Sequence, residues 1–337
     1  MKRITIDDIA KEAEVSKSTV SRVLSRPHLV KEKTRKQILA IIEKHSYIPN
    51  PLAQGLAGLP TKNIGFVVDE FPNNFYIDLA KGIDSVMTEH KYTLQVMSSL
   101  WDPERELQGI QSMIINHTAG ILMAPSSADS RAVELLKQSK VPFVLLNCRT
   151  GDPDISFVSC DNYEGGKLMA EYANTLEFEQ LVILHVTDHQ TVLDRIAGFE
   201  DHIDKKAIKP VKYFNAKTHQ DGYRVAELIL ETCSLKTKKT FMFVGNDYVA
   251  IGVMVKLLEN GILIPGQVAI AGFDDIGISG LCRVPLTTVS QSVPDMGRIA
   301  AEILLARIVQ KKEEPVKHFI KPYLVIREST LPSSVLF

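Results

Sequence analysis

Residues 5–24 read Thr5-Ile6-Asp7-Asp8-Ile9-Ala10-Lys11-Glu12-Ala13, then Glu14-Val15, then Ser16-Lys17-Ser18-Thr19-Val20-Ser21-Arg22-Val23-Leu24. Thr5 caps a first helix, with Asp8 three residues on to close a box, and Ile6, Ile9, Ala10 and Ala13 share one face. A bend at Glu14-Val15 leads to a second helix capped by Ser16. That cap turns Val20, Val23 and Leu24 inward and leaves Lys17, Ser18, Ser21 and Arg22 outward. The outward set is short, polar and basic, as a helix entering a major groove requires: Lys and Arg match guanine acceptors, and hydroxyls reach phosphates. A solvated face on an ordinary helical bundle is the competing reading, because helical hairpins are common.

The residues just downstream narrow the choice. A third helix fits residues 31–45, where Thr34, Ile38, Ile41 and His45 recur at helical spacing and close a three-helix core. Next comes Tyr47-Ile48-Pro49-Asn50-Pro51-Leu52-Ala53-Gln54-Gly55-Leu56-Ala57-Gly58. The run V-S-x-x-T-V-S-R-V-L followed by Y-x-P-N-x-x-A-x-x-L resembles the bacterial lactose/galactose repressor (LacI/GalR) family, in the same N-terminal position.

Composition sets the frame for the remainder. The chain has 337 residues, 45% hydrophobic and 23% charged, enough for two or three globular domains. Residues 1–60 hold 11 Lys/Arg against 6 Asp/Glu, net +5, and the rest holds 28 against 34, net −6. The basic end is the nucleic-acid end. Its excess is modest, so backbone affinity is expected to rely on two copies of the head. The N-terminus lacks the apolar segment of a secretory signal, and no stretch approaches about 18 uninterrupted apolar residues, so a cytoplasmic protein without a membrane partner is expected. Cys148, Cys160, Cys233 and Cys282 are widely spaced, which predicts free thiols and no metal site.

Residues 50–57 form about two turns of candidate helix, with Asn50 as cap and Pro51 at the first position. So short a helix is marginal alone, and Gly55 weakens it further. The family resemblance implies its support: paired hinge helices in the minor groove, with Leu56 as the wedge and Asn50, Ala53 and Gln54 against DNA. A plain interdomain linker is the alternative.

From residue 63 short apolar runs alternate with helical stretches, and the rhythm restarts after Asp161. Strand, helix, strand at this spacing predicts parallel sheets covered on both faces. Two such blocks give an α/β fold of two doubly wound subdomains with a cleft at the carboxyl ends of their strands. Those ends are polar: Asp69-Glu70, Asn147-Cys148-Arg149, Asp161-Asn162, Gly245-Asn246-Asp247 and Asp274-Asp275. Their convergence favours a ligand rich in hydroxyls or charge.

The resemblance extends through G-N-D-x-x-A-x-G at 245–252, G-F-D-D at 272–275 and P-L-T-T-V-x-Q at 285–291, similar to periplasmic sugar-binding proteins. It implies a helix-turn-helix domain at 1–48, a hinge helix at 49–60 and an effector-binding and dimerisation domain at 61–330. Within that domain the N-subdomain takes about 61–161 and 292–320, and the C-subdomain 162–291 and 321–330. The tail, 331–337, lacks leucine heptads, so a homodimer is expected and not a tetramer.

By the same resemblance, Thr5, Ser16, Lys17, Ser18, Thr19, Ser21, Arg22 and Tyr47 join the hinge residues in DNA contact, on two half-sites of an approximate palindrome in double-stranded operator DNA. Effector contacts are Phe75, Tyr76, Asn147, Arg195, Asn246, Asp274 and Gln291. At the position where several family members stack an aromatic residue on the effector, this chain has Lys217 or a neighbour. With Arg149 and Arg195 it predicts an anionic effector, a sugar acid or sugar phosphate. If Lys217 sits on an exposed loop, a neutral sugar is the expected ligand. Effector binding then shifts the population of the DNA-competent dimer. No cofactor is expected. An exported solute-binding protein has no use for residues 1–58, and an enzyme on this fold needs a G-x-G-x-x-G, G-x-x-x-x-G-K-[ST] or G-x-S-x-G element that the sequence lacks.

Overall fold

The structure, a computed structural model, describes residues 4–25, 27–45, 47, 61–71, 73–204, 208–213 and 216–331. By contact it forms two units: residues 1–61 with 115–118, and a body of 62–114 and 119–337.

In the first unit α1 (Ile6–Glu12) and α2 (Lys17–Ser25) are joined by a turn in which Glu14 takes a left-handed φ of 55°. The caps are in place: Asp8 N donates to Thr5 Oγ1 at 3.4 Å, Thr5 N donates to Asp8 Oδ2 at 2.9 Å, and Thr19 N donates to Ser16 Oγ at 3.2 Å. These bonds satisfy amides that the first turn of a helix leaves without partners. A 3-10 turn, Pro27–Leu29, leads to α3 (Glu32–Lys44). Ile9, Ala10, Ala13, Val20, Val23 and Ile38 are buried together, and Tyr47 packs on their edge.

The body holds two parallel sheets. The first contains β1 (Asn63–Val68), β2 (Thr93–Ser98), β3 (Gly120–Met123), β4 (Phe143–Leu146), β5 (Phe157–Cys160) and, from far along the chain, β11 (Lys317–Ile320). Their spatial order is β11-β5-β4-β3-β1-β2. The connecting helices are α4 (Asn74–Glu89), α5 (Pro103–Ile115) and α6 (Arg131–Gln138). The second sheet runs β7-β6-β8-β9, from β6 (Gln180–Leu184), β7 (Val211–Tyr213), β8 (Thr240–Val244) and β9 (Val268–Ala271). Its helices are α7 (Asn162–Asn174), α8 (Gln190–His202), α9 (His219–Thr232) and α10 (Asp247–Glu259). A short antiparallel pair, β10 (Thr288–Ser290) with β12 (Tyr323–Val325), stands where the chain passes between the sheets, and α11 (Val293–Val309) returns to the first. β5, β10 and β11 have no counterpart among the runs expected from sequence. Each is only three or four residues long, and Phe319 in β11 is 52% exposed. Such segments lack the apolar run that identifies a buried strand.

Helices pack unusually close at paired glycines. A Cβ on Gly198 of α8 would lie 2.0 Å from Tyr163 O, and one on Gly166 of α7 would lie 1.9 Å from Arg195 O. Only glycine lets the two backbones approach so far, and the approach fixes where α8 presents Arg195.

Candidate functional site

The head presents α2 as the residue pattern requires. Ser16, Lys17, Ser18 and Arg22 are exposed, Thr19 and Ser21 half-buried, and Val20 and Val23 buried. Thr5 is exposed at the start of α1, and its hydroxyl donates to Asp8 Oδ2 at 2.7 Å. Ser16 Oγ lies 2.8 Å from Ser18 Oγ and 2.9 Å from Thr19 Oγ1, a hydroxyl cluster at the helix N-terminus. Lys17 Nζ reaches Asp7 Oδ2 at 3.0 Å, with both side chains more than half exposed. Such a pair contributes little and yields readily to a phosphate or a base edge. Tyr47 is half-buried and its amide donates to Ile42 O at 2.9 Å, so it packs as well as borders this face. Asn50, Ala53, Gln54 and Leu56 lie outside the described residues.

In the body a cavity opens at the carboxyl ends of both sheets, as open α/β folds require. From the first lobe come Asp69, Asn73, Phe75, Tyr76, Trp101 and Asn147; from the second come His189, Arg195, Lys217, Asn246 and Asp274. The space that water can fill is about 50 Å3. Asn147 and Asp274 reach the cavity with φ of 48° and 124°, strained conformations of the kind concentrated at binding sites.

Arg195 is almost wholly buried and held through Nε and Nη1. Its Nε donates to Asn162 Oδ1 at 2.7 Å, its Nη1 donates to Gly245 O at 2.8 Å and pairs with Asp274 Oδ1 at 3.1 Å, and its guanidinium lies 4.1 Å from the Phe273 ring centre. Asp274 also accepts from Gln291 Nε2 at 2.6 Å. Burial raises the Asp274 pKa to about 7 against the opposing pull of Arg195. Asp69 accepts from the Tyr76 hydroxyl at 2.9 Å, and burial raises its pKa to about 7 as well. Asp69 Oδ1 and Asn147 Oδ1 have no hydrogen-bond partner among the described residues. His189 caps α8, with Nδ1 2.8 Å from Thr191 Oγ1, and burial lowers its pKa.

Seven of the nine expected effector residues thus line one cavity: Phe75, Tyr76, Asn147, Arg195, Lys217, Asn246 and Asp274. Gln291 does not; it is fully buried behind Asp274 and supports it. Arg149 is also placed elsewhere. Two residues past Asn147 the loop carries it out of the cavity, where its Nε pairs with Asp194 Oδ2 at 3.0 Å. The three cations expected together therefore do not all gather: Arg149 is outside, Arg195 is neutralised by Asp274, and Lys217 is exposed and 5.1 Å from the Trp101 ring centre. Sequence reasoning missed Trp101 and His189. Trp101 is the sole tryptophan of the chain and follows β2, a signal available in principle.

Residues 5–50 match the model of bacterial regulatory proteins, lacI family, and residues 178–330 match that of a periplasmic binding protein-like domain. Catabolite control protein A of Priestia megaterium is 31% identical over 317 residues, covering 89% of this chain and 91% of that protein. The chain belongs to the lacI family of bacterial regulatory proteins. Like its relatives, this lacI-family chain is a DNA-binding transcriptional regulator and not an enzyme. The lac repressor dimer bound to operator and the anti-inducer ONPF shares its fold, with a TM-score of 0.82 at 24% identity over 98% of this chain and all of that one. A lacI-family regulator of Enterococcus faecalis with bound ribose superposes with a TM-score of 0.71 at 28% identity, covering 80% of this chain and 99% of that one. Among the described residues no helix is long and apolar enough to cross a membrane.

Proposed function

We propose that this lacI-family regulator works as a homodimer that reads an approximate palindrome through α2, with Lys17, Ser18 and Arg22 at base edges and Thr5, Ser16, Thr19 and Ser21 near phosphates. Its operator affinity is controlled by a small, neutral, hydroxyl-rich ligand of carbohydrate type in the interlobe cavity. The observation carrying the ligand class is the pair of unpartnered acceptors, Asp69 Oδ1 and Asn147 Oδ1, that line the cavity. Leaving such groups unpaired is costly, and ligand hydroxyls are the donors that satisfy them. A sugar acid or sugar phosphate is the less favoured ligand, because Asp69 and Asp274 confront it while Arg149 and Arg195 are already engaged. The ribose held by the Enterococcus faecalis relative is of the favoured class.

The lone Trp101 in the cavity wall provides the assay. Its fluorescence and the melting temperature are followed against neutral sugars, sugar acids and phosphates, and purine bases. A response to neutral sugars alone supports the reading; one confined to the anionic panel and lost in Lys217→Ala overturns it. In parallel, Arg22→Ala should abolish binding to operator DNA while sparing ligand affinity, and wild-type operator binding should fall steeply with salt. Loss of both activities in Arg22→Ala would show that Arg22 is structural.

A further inference from the structure

The helix α11 begins just after Gln291, at the interlobe cavity, and ends at the opposite edge of the first sheet. There a second groove of about 430 Å3 opens. Its floor is apolar, from Leu136, Val141, Phe143 and Ile155, and its rim carries Lys140, Lys311 and Lys312 together with Asp154 and Glu313. A volume of this size, with an apolar floor and a few charged groups, has the anatomy of a small-molecule site.

Cations outnumber acids in the groove: Lys137, Lys140, Arg307, Lys311 and Lys312 line it against Asp154 and Glu313. Arg307 forms part of the wall half-buried, with Nη1 donating to Phe143 O at 3.2 Å and to Ser156 Oγ at 3.1 Å and Nη2 donating to Glu313 O at 3.3 Å. All three acceptors are neutral. Burial lowers the Arg307 pKa, and the nearby Glu313 charge offsets that only in part. Among the described residues Arg307, Lys140, Lys311 and Lys312 form no ion pair, whereas neighbouring Lys137 is taken by Asp152 at 2.8 Å. A partly buried arginine whose hydrogen bonds all go to neutral oxygens is unusual in a body that is otherwise net acidic.

We propose that this groove is a second ligand site, for a small phosphate monoester with an apolar or aromatic body. The phosphoryl oxygens accept from the lysines of the rim and the body lies on Phe143 and Val141. The groove sits at the edge where Phe143 opens β4. Because β4, β3 and β1 are parallel, this is also the edge at which Asn63 opens β1, the first strand of the body. A ligand there binds independently of the interlobe ligand, at the amino ends of the strands whose carboxyl ends hold the cavity.

The test is calorimetric titration of the full chain with phenyl phosphate, and with inorganic phosphate alone. Wild type should bind phenyl phosphate with micromolar to submillimolar affinity, and inorganic phosphate more weakly. Lys140→Ala/Lys312→Ala, two exposed changes that leave folding alone, should weaken phenyl phosphate at least about tenfold. Lys217→Ala, in the interlobe cavity, should leave it unchanged. No binding to wild type, equal binding to the double variant, or loss in Lys217→Ala would each overturn the proposal.

Discussion

Asp69→Asn should flatten the pH dependence of stability between pH 6 and 8. Asp69 is buried, its pKa is raised to about 7 chiefly by desolvation, and among the described residues only Tyr76 donates to it by side chain. An acid whose folded pKa lies above its unfolded value stabilises the fold most when protonated. That contribution is complete below about pH 4 and is lost as pH rises toward 7, levelling off above. With an unfolded value near 3.9, the loss from pH 6 to pH 8 is about 1.4 kcal/mol for this one carboxyl. In a chain of this length that is roughly 2–5 °C in melting temperature. Asparagine has the same shape and no charge to bury, so the variant should lack this part of the decline. The assay is differential scanning calorimetry of both proteins at pH 6, 7 and 8 without ligand. The same carboxylate gives a second signature. A ligand hydroxyl donating to Asp69 Oδ1 favours the ionised form, so binding near pH 6 releases a proton and wild-type affinity rises with pH; in Asp69→Asn it should not. Parallel stability curves for the two proteins would show that Asp69 titrates normally and refute its desolvation.

Arg195→Met should destabilise the body by roughly 3–5 kcal/mol in denaturant unfolding, because it leaves Asp274 buried without its cation; adding Asp274→Asn should recover part of that loss, and no recovery would show that the cost is packing on Phe273. Gly198→Ala drives a Cβ into Tyr163 O, and should cost at least about 1–3 kcal/mol and blunt the Trp101 response to ligand. Gly151→Ala, with nothing within 4 Å, should stay within about 0.5 kcal/mol in the same melts. Ser16→Ala should cost the head about 1 kcal/mol through its lost cap to Thr19 N, read as faster hydrogen exchange across residues 5–45.

The head was legible because its signals are local: the Thr5–Asp8 box, the Ser16 cap and the spacing of Val20 and Val23 each depend on residues within a turn of one another. The alternation of strands and helices was legible for the same reason, and with it the polar strand ends that meet in the cavity. What failed was long-range. Sequence proximity placed Arg149 beside Asn147, but Asp194, far along the chain, holds its side chain outside. Trp101 enters the cavity through a turn in which Leu100 and Trp101 both have left-handed φ, 54° and 62°, a bend no residue type there announces. β11 pairs with β5 although the two are distant in the chain, and its four residues alone contain no pattern that says so.

The same long-range contacts restrict how a ligand can be felt elsewhere in the body. Asp274 reaches the cavity from the second lobe, and the residue that donates to it, Gln291, stands two positions before α11. That helix is locked onto α4 of the first lobe: a Cβ on Gly82 would lie 1.9 Å from Pro294 O, and one on Gly297 would lie 2.3 Å from Leu79 O. Since α4 also carries Phe75 and Tyr76, the first lobe's share of the cavity and α11 form one rigid piece. Packed helices with touching backbones do not bend by small amounts. The displacement must therefore fall where the chain crosses between the lobes, and Ser292, with a left-handed φ of 46° and no side-chain cap on α11, is such a crossing. A ligand that pulls Asp274 is therefore expected to turn one lobe against the other about Ser292 and its neighbouring crossings, and Ser292→Pro, which cannot hold a φ of 46°, should blunt the Trp101 response.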